Sequence, residues 1–434
     1  MADIITTYDL RKKRKPVPRI FRVRERIGPS AARLEAEVTK IVEAVAARGD
    51  AAVAEFTKEF DGVALSARRF EIKKNTISRA LSTIDRDVRR SLEKALENIR
   101  KFHKITLPRS EQYSRPDGVK LGERITPIAR VGVHVPGGKA FYPSTVLMAV
   151  VPAKVAGCDE VVLVSPPSYN GTIHPAILAA AGLAGADRVF RIGGAQAIAA
   201  LAYGTKTVPA VDKIVGPGNR YVSAAKRVVS HTADIDKEAG PSEIVIIADK
   251  SARPRWVAAD MLSQAEHDEE AVAILLTDSA RLARDVATEI EQQVEESPRK
   301  LLVAKALKSH GAIVLASDLT HAVELADMRA PEHLALMVEK PASLLKLVRN
   351  AGAIFLGPYS PVAVGDYIAG PSHVLPTAGT ARFASALTVN DFLKRSSVIA
   401  YTKKRLVKEA DHIVRLAETE GLQAHAESVK MRVR

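Results

Sequence analysis

The segment from Arg255 to His267 carries side chains whose spacing would suit a metal ion. If this stretch is helical, Asp260, Gln264 and His267 stand at i, i+4 and i+7 and fall on one side of the helix. An amide oxygen and an imidazole one turn apart could hold one divalent cation. Gln is an uncommon metal ligand, so this helix alone favours capping or hydrogen bonding to solvent.

A carboxylate and an imidazole stand side by side at Glu332 and His333, directly before the apolar run Leu334–Met337. Together they offer a proton acceptor for an alcohol and a base for water. Taken alone, the two residues favour an exposed loop pair.

For three further polar residues, the local sequence alone does not indicate a function. Asp366 follows a loop that contains Pro and Gly, where it could ligate a metal or cap a turn. Glu420 and His425 flank a turn near the end of the chain, and nothing in their local sequence indicates chemistry.

Several turns between predicted strands and helices are rich in glycine and could bind an anion or a dinucleotide. They contain Gly137-Gly138, Gly193-Gly194 and Gly216-Pro217-Gly218. Backbone amides and a helix N-terminus at such turns favour phosphate. The third turn begins like the dinucleotide fingerprint, but Tyr221 stands where its last glycine is expected, so that match is weak.

From about Arg130 onward, short apolar runs alternate with helical stretches, which predicts parallel sheets covered on both faces. The number of runs favours two sheets over one. The predicted strands are Val161–Val164, Val189–Ile192, Lys213–Val215, Ile244–Ile247, Val272–Leu276, Ile313–Leu315, Leu334–Met337 and Ile354–Leu356.

Helical spacing of apolar residues dominates the first hundred residues and the end of the chain. The predicted helices are Ala32–Glu59, interrupted at Gly49-Asp50, then Asp85–His103 and Lys403–Glu420.

Composition narrows the class of protein. The 434 residues contain no run long enough for a membrane-spanning helix and no signal-peptide pattern, so we expect a cytoplasmic enzyme without a membrane partner. The single cysteine, Cys158, allows neither an internal disulfide nor a thiolate zinc site. We expect it to pack in the core rather than to form a thiohemiacetal during catalysis.

The net charge of +14 is most concentrated at Arg11–Lys15. A solvated arm, or a segment that packs on another subunit, is favoured over a nucleic-acid-binding tail, because no nucleic-acid motif and no interleaved aromatic residues accompany the charge.

Together, these segments resemble the histidinol dehydrogenases over nearly the whole chain. The segments that carry the resemblance are residues 131–138 (VGVHVPGG), 193–200 (GGAQAIAA), 216–219 (GPGN), 239–243 (AGPSE), 264–267 (QAEH), 331–334 (PEHL), 365–367 (GDY), 373–377 (HVLPT) and 424–425 (AH).

The resemblance implies an α/β fold with two incomplete Rossmann-like parallel-sheet domains and small N- and C-terminal segments, in an intertwined homodimer. It suggests a basic N-terminal arm (1–28), a discontinuous first domain (29–130 with 243–386), a second, NAD-binding domain (131–242) and a C-terminal segment exchanged between subunits (387–434).

The resemblance also implies zinc-dependent oxidation of histidinol, through its aldehyde, to histidine by two NAD molecules. Glu332 and His333 would be catalytic. The zinc ligands would be Gln264, His267, Asp366 and His425 of the partner subunit. The substrate would contact these four ligands and also His333, Ser242 and Glu420.

For NAD, the resemblance implies contacts from Gln196 and Asn219. His134 occupies a position where this family usually carries a tyrosine that packs against NAD, so NAD affinity is the property in question. Ser372 stands where the family commonly has Asn.

Two rival functions come from different classes. One is a paralogous zinc and NAD dehydrogenase of the same fold that acts on another small polyol or a sulfonated alcohol. Retention of Glu420 and His425 favours histidinol over it. The other is a nucleic-acid-binding or scaffold protein, which would leave Gln264, His267 and Asp366 without a purpose.

Overall fold

Two parallel sheets form the framework of a computed structural model of the chain, which describes residues 4–12, 17–21, 29–137, 141–237 and 240–434. The strands are β1 (Thr6–Asp9), β2 (Glu111–Ser114), β3 (Lys120–Pro127), β4 (Arg130–His134), β5 (Glu160–Val164), β6 (Arg188–Phe190), β7 (Lys213–Val215), β8 (Asp234–Ile235), β9 (Glu243–Ala248), β10 (Val272–Thr277), β11 (Gly311–Leu315), β12 (His333–Met337), β13 (Ala353–Leu356) and β14 (Leu393–Ala400).

Helices cover both faces of these sheets. They are α1 (Pro29–Arg48), α2 (Asp50–Asp61), α3 (Lys74–Thr83), α4 (Arg86–Ile105), α5 (Pro143–Ala156), α6 (Pro175–Ala184), α7 (Gly194–Tyr203), α8 (Arg220–Val229), α9 (Pro254–Ala265), α10 (Ala280–Glu296), α11 (Lys300–His310), α12 (Leu319–Arg329), α13 (Pro341–Leu345), α14 (Val362–Tyr367), α15 (Lys403–Thr419) and α16 (Gln423–Val433).

The parallel sheets confirm the predicted fold class. One sheet has the strand order β6-β5-β4-β7-β8 and the other β1-β11-β10-β9-β12-β13, and every pairing within them is parallel. All eight predicted strands are present, with shifts of at most two residues at their ends. Their residues are largely buried because helices cover both faces, which is why they read as continuous apolar runs.

The N-terminal segment contributes to a sheet. Strand β1 pairs with β11 at the edge of the six-stranded sheet, with Thr6 opposite Ala312. Phe21 is buried in the core beside this sheet. The segment predicted as a basic arm is therefore anchored at both of these points, while Lys13–Lys15 lie outside the described residues.

The helices between residues 29 and 105 cover the five-stranded sheet, which differs from their predicted grouping with residues 243–386. Helices α1 and α2 share a core with strand residues such as Val162 and Val164. Residues Leu92 and Ile99 of α4 share another core with α5 and Val131. The apolar stripes were correctly identified, but periodicity does not reveal which sheet receives them.

A three-stranded antiparallel sheet, β14-β3-β2, was not predicted. Strand β14 pairs with β3 over eight residues, from Leu393 opposite Pro127 to Ala400 opposite Lys120. Most residues of β2 and β14 are exposed, so the sequence lacks an apolar pattern that would mark these strands. The sheet connects the C-terminal segment to residues 111–127.

Cys158 lies in the apolar core, as predicted, with its Sγ 4.0 Å from the carbonyl oxygen of Phe392. Burial raises the pKa of the thiol to about 11, which disfavours the thiolate that nucleophilic catalysis needs. Among the helices of the described ranges, none combines the length and the apolar character that crossing a membrane requires.

Candidate active site

Glu332 and His333 lie at the entrance of β12 and are buried, with 7% and 4% of their surface exposed. The exposed loop pair that the local sequence favoured is therefore wrong. The burial comes from β9, a strand ninety residues earlier in the chain, which pairs with β12 and places Ile244 opposite His333.

The Glu332 carboxylate is held by the backbone of β9. Its Oε2 accepts a hydrogen bond from the Glu243 N–H at 2.9 Å and lies 3.6 Å from Nδ1 of His333. Burial raises the pKa of Glu332 well above its usual value, while the Glu243 N–H and the Ser242 side chain act in the opposite direction. The result is a carboxylate that binds a proton more strongly than an exposed one.

The His333 ring is oriented by the same residue. Its Nδ1 lies 3.0 Å from the carbonyl oxygen of Glu243. Because a carbonyl only accepts hydrogen bonds, Nδ1 carries the proton and Nε2 keeps a lone pair. Nε2 is buried and has no hydrogen-bond partner among the described residues. Burial lowers the pKa of His333 to about 4, so the ring is neutral at neutral pH.

Two of the four predicted metal ligands, Asp366 and His267, lie near this pair. Asp366, in α14, raises the pKa of Glu332 electrostatically, and His267, just after α9, lowers that of His333. Gln264 is buried in the last turn of α9. The C-terminal end of α9 and helix α14 thus bring His267 and Asp366 toward the entrance of β12.

The donor set fits a cation. The side chains of Gln264 and Asp366 make no hydrogen bond within the part of the chain that the structure describes, although Gln264 is only 3% exposed. Burial raises the pKa of Asp366 to about 6 because it disfavours the charged carboxylate. A bound cation would offset this desolvation cost. Across the described ranges, no three His, Cys, Asp or Glu side chains gather as a metal site.

The two C-terminal residues stand apart from this group. Glu420 directly follows α15 and His425 lies in α16, and both are exposed on the helical pair that these two helices form. Neither is among the groups that shift the pKa of Glu332, His333 or Asp366. Within one chain, the structure does not bring them to the other site residues.

The predicted NAD contacts lie at the carboxyl ends of strands in the five-stranded sheet, where open parallel sheets bind their ligands. Gln196, in the first turn of α7, is 1% exposed, and neither atom of its amide has a partner among the described residues. His134 ends β4 with Nδ1 2.8 Å from the Pro217 carbonyl, and its buried Nε2 is likewise unpartnered. These unsatisfied groups fit a polar ligand.

Asn219 has a structural task as well. Its side-chain Oδ1 accepts hydrogen bonds from the N–H groups of Tyr221 and Val222 and so caps the N-terminus of α8. Gly194 has a φ of 66°, and a Cβ there would lie 2.7 Å from Oε1 of Gln196. A glycine at this position therefore leaves the Gln196 amide free to take its buried orientation.

Comparison with known proteins gives a single answer. The family model described as histidinol dehydrogenase matches residues 25–433. The chain belongs to the histidinol dehydrogenase family. A histidinol dehydrogenase from a Synechococcus strain is 52% identical over 398 residues, which is 92% of each chain. Another from Heliobacterium mobile is 50% identical over 402 residues, covering 93% of this chain and 94% of the relative.

A solved histidinol dehydrogenase from Elizabethkingia anophelis matches the whole fold, with a TM-score of 0.93 and 34% identity over 100% of this chain and 99% of that one. Membership of the histidinol dehydrogenase family makes the protein an oxidoreductase, which confirms the enzyme class inferred from the sequence.

His373 is a site residue to which the sequence assigned no role. Its Nδ1 lies 2.8 Å from the backbone oxygen of Asp366, and its Nε2 lies 3.0 Å from the hydroxyl of Thr145. His267 lowers the pKa of this ring, as it does for His333. The residue lay inside a motif shared with the histidinol dehydrogenases, 373–377, which was the available signal.

Proposed function

We propose that this protein catalyses the zinc-dependent, NAD-linked four-electron oxidation of L-histidinol, through L-histidinaldehyde, to L-histidine, in a homodimer whose subunits share active sites. The observation that carries the proposal is the buried Glu332–His333 pair, whose two side chains are bound by one backbone residue, Glu243. Two adjacent bases of different kind suit a reaction with two oxidation steps.

His333 accepts the alcohol proton in the first oxidation. Its Nδ1–H is bound to the Glu243 carbonyl, which leaves the Nε2 lone pair to face the substrate. The neutral ring can take up a proton without first losing one, because burial keeps its pKa low. Removal of this proton accompanies hydride loss from the carbon that carries the hydroxyl.

Glu332 serves the second oxidation by activating water for addition to the aldehyde. Burial and the neighbouring carboxylates of Glu243 and Asp366 raise its pKa, which makes the carboxylate a stronger base. The hydrate formed in this way loses a second hydride and two protons and becomes the carboxylate of histidine.

Gln264, His267 and Asp366, with His425 of the partner subunit, would hold the zinc ion. Bound zinc supplies charge that anchors and orients the substrate. The exposed position of His425 on the C-terminal helical pair leaves its side chain accessible to a second chain, which supports this assignment. Ser242 and Glu420 would contact the substrate beside these ligands.

Gln196, Asn219 and His134 would bind NAD at the five-stranded sheet. Bound NAD accepts the hydride in each oxidation. Neither polar atom of the buried Gln196 amide has a partner among the described residues, which supports this assignment because a buried amide is normally hydrogen-bonded.

The deciding experiment counts NADH formed per histidinol consumed, with and without a metal chelator. We expect about two NADH per substrate, and loss of both on chelation that added zinc reverses. One NADH per substrate, or turnover that is unaffected by removing the metal, would contradict the proposal. Parallel assays with small polyols and sulfonated alcohols separate histidinol from the substrates of a paralogous dehydrogenase.

A further inference from the structure

Glu243 and Arg329 form a buried ion pair directly behind the Glu332–His333 pair. Nε of Arg329 donates to Oε2 of Glu243 at 2.7 Å, and Nη2 contacts the same oxygen. The two residues are only 1% and 2% exposed. Nη1 of Arg329 donates to the carbonyl of Ile20, so the guanidinium also connects the first residue of β9 to the N-terminal segment.

Glu243 occupies a special place in the sheet. The pairing of β9 with β12 begins one residue later, at Ile244 opposite His333. The backbone N–H and C=O of Glu243 bind the side chains of Glu332 and His333. A displacement of Glu243 would therefore move the hydrogen-bond partners of both reactive side chains at once.

The ion pair belongs to a part of the fold whose core is apolar. Val245, two residues after Glu243, and Ala326, three residues before Arg329, are both buried in that core. Two charges lose their hydration in such a place, and an apolar pair of similar size is often as stable or more so. A gain in stability therefore does not explain why this buried position carries an ion pair. A need to hold the first residue of β9 in a fixed position does explain it.

We propose that Arg329 and Glu243 are positioning residues for the reaction. Their ion pair fixes the first residue of β9, so that the Glu243 backbone holds the Glu332 carboxylate in place and keeps the proton of His333 on Nδ1. This inference rests on the proposed function, because it concerns the same site. Both side chains are almost completely buried and act through the pair that they orient.

Three variants test the proposal: Glu243→Gln, Arg329→Lys and the double variant Glu243→Gln/Arg329→Met. We expect kcat for histidinol to fall by about tenfold or more in each, with KM changed by less than about threefold. The double variant removes both charges and is expected to unfold at a temperature near that of the wild type, yet to stay slow. Full activity in a stably folded double variant would overturn the proposal.

Glu71→Gln provides a control at a partly exposed ion pair. It breaks the Glu71–Arg188 ion pair, which connects the segment before α3 to strand β6 of the five-stranded sheet. We expect kcat within about twofold of the wild type. A fall in kcat as large as that of Glu243→Gln would show that any lost ion pair slows the enzyme, and would count against a specific positioning role.

A readout without turnover separates this inference from the proposed function. Nitrogen NMR of ¹⁵N-histidine-labelled protein, with His333 assigned by comparison with His333→Asn, reports which ring nitrogen carries the proton. We expect the Nδ1–H form in the wild type and in Glu71→Gln, and a mixture of tautomers in Glu243→Gln. An unchanged tautomer in Glu243→Gln would overturn the inference even if histidinol is turned over; a mixture would support it even if histidinol is not the substrate.

Discussion

Glu332 and His333 are neighbours in the chain, and their side chains bind opposite polar groups of the same backbone residue. The N–H of Glu243 donates to Glu332, and the C=O of Glu243 accepts from His333. The contact with the carbonyl takes up Nδ1 of His333, so Nε2, which has no partner among the described residues, keeps its lone pair. Burial raises the pKa of Glu332, although the Glu243 N–H acts in the opposite direction.

Glu332→Gln is expected to separate the two oxidations. The amide cannot serve as a base for water, so oxidation of the aldehyde should slow by about a hundredfold or more, the usual contribution of a general base. Oxidation of the alcohol should retain much of its rate because it depends on His333. The measurement supplies histidinol and histidinaldehyde separately in single-turnover experiments. Equal losses in both steps would contradict the assignment.

Gln196→Leu tests the NAD site by giving opposite effects on stability and binding. The substitution removes a buried amide whose two polar atoms lack partners in the described chain. The protein without NAD should become as stable or more stable. NAD binding should weaken by about tenfold, because hydrogen bonds to the amide are lost. Calorimetric titration with NAD and thermal unfolding measure the two effects; unchanged NAD affinity would remove Gln196 from the site.

His134→Tyr is expected to tighten NAD binding by a few-fold. The tyrosine ring gives a larger aromatic face than the imidazole. The His134 ring is tethered to the Pro217 carbonyl, and a tyrosine would give up this hydrogen bond. Titration of the wild type and the variant with NAD measures the two affinities. Weaker binding in the variant would indicate that the imidazole itself contacts NAD.

The buried framework could be predicted from the sequence because its signal is local. Strands such as β5 and β9 are continuous apolar runs because both of their faces are buried, and such runs can be recognised in the sequence. The antiparallel sheet gave no such signal, since β14 is mostly exposed and its partner β3 lies far away in the chain.

The site was predictable in its residue types but not in its geometry. The motif that contains Glu332 and His333 gave no sign that both are buried, because their burial depends on β9. The ion pair between Arg329 and Glu243 could not be predicted either, because the two residues are eighty-six positions apart and nothing in the local sequence links them. The contact between His373 and the Asp366 backbone likewise arises only from the folded chain.

His103→Leu is expected to reduce the acid sensitivity of folding. His103 is fully buried, neither ring nitrogen has a partner in the described structure, and burial lowers its pKa from 6.5 to about 4. The unfolded chain therefore binds this proton between those two values and the folded chain does not. Stability is thus lost as the pH falls through 6.5 toward 4.

For His103 this loss amounts to about 2 kcal/mol between pH 7.5 and pH 5. The leucine variant should lose less free energy of unfolding over this interval by about that amount. Urea unfolding at both pH values measures it, with His231→Gln as a control for an exposed histidine. Equal acid sensitivity in the wild type and in His103→Leu would show that the ring does not titrate as its burial implies.

Mixing two variants that are each defective in aldehyde oxidation tests whether the active sites are shared between subunits. In His425→Asn the Glu332–His333 pair is intact, while Glu332→Gln keeps His425. If each site combines the pair of one subunit with His425 of the partner subunit, a mixed dimer contains one complete site and one doubly defective site. Random reassortment makes half of the dimers mixed, so oxidation of the aldehyde should recover to about a quarter of the wild-type rate. Native mass spectrometry counts the mixed dimers, and a mixture that contains them without regaining activity would place His425 in the site of its own subunit.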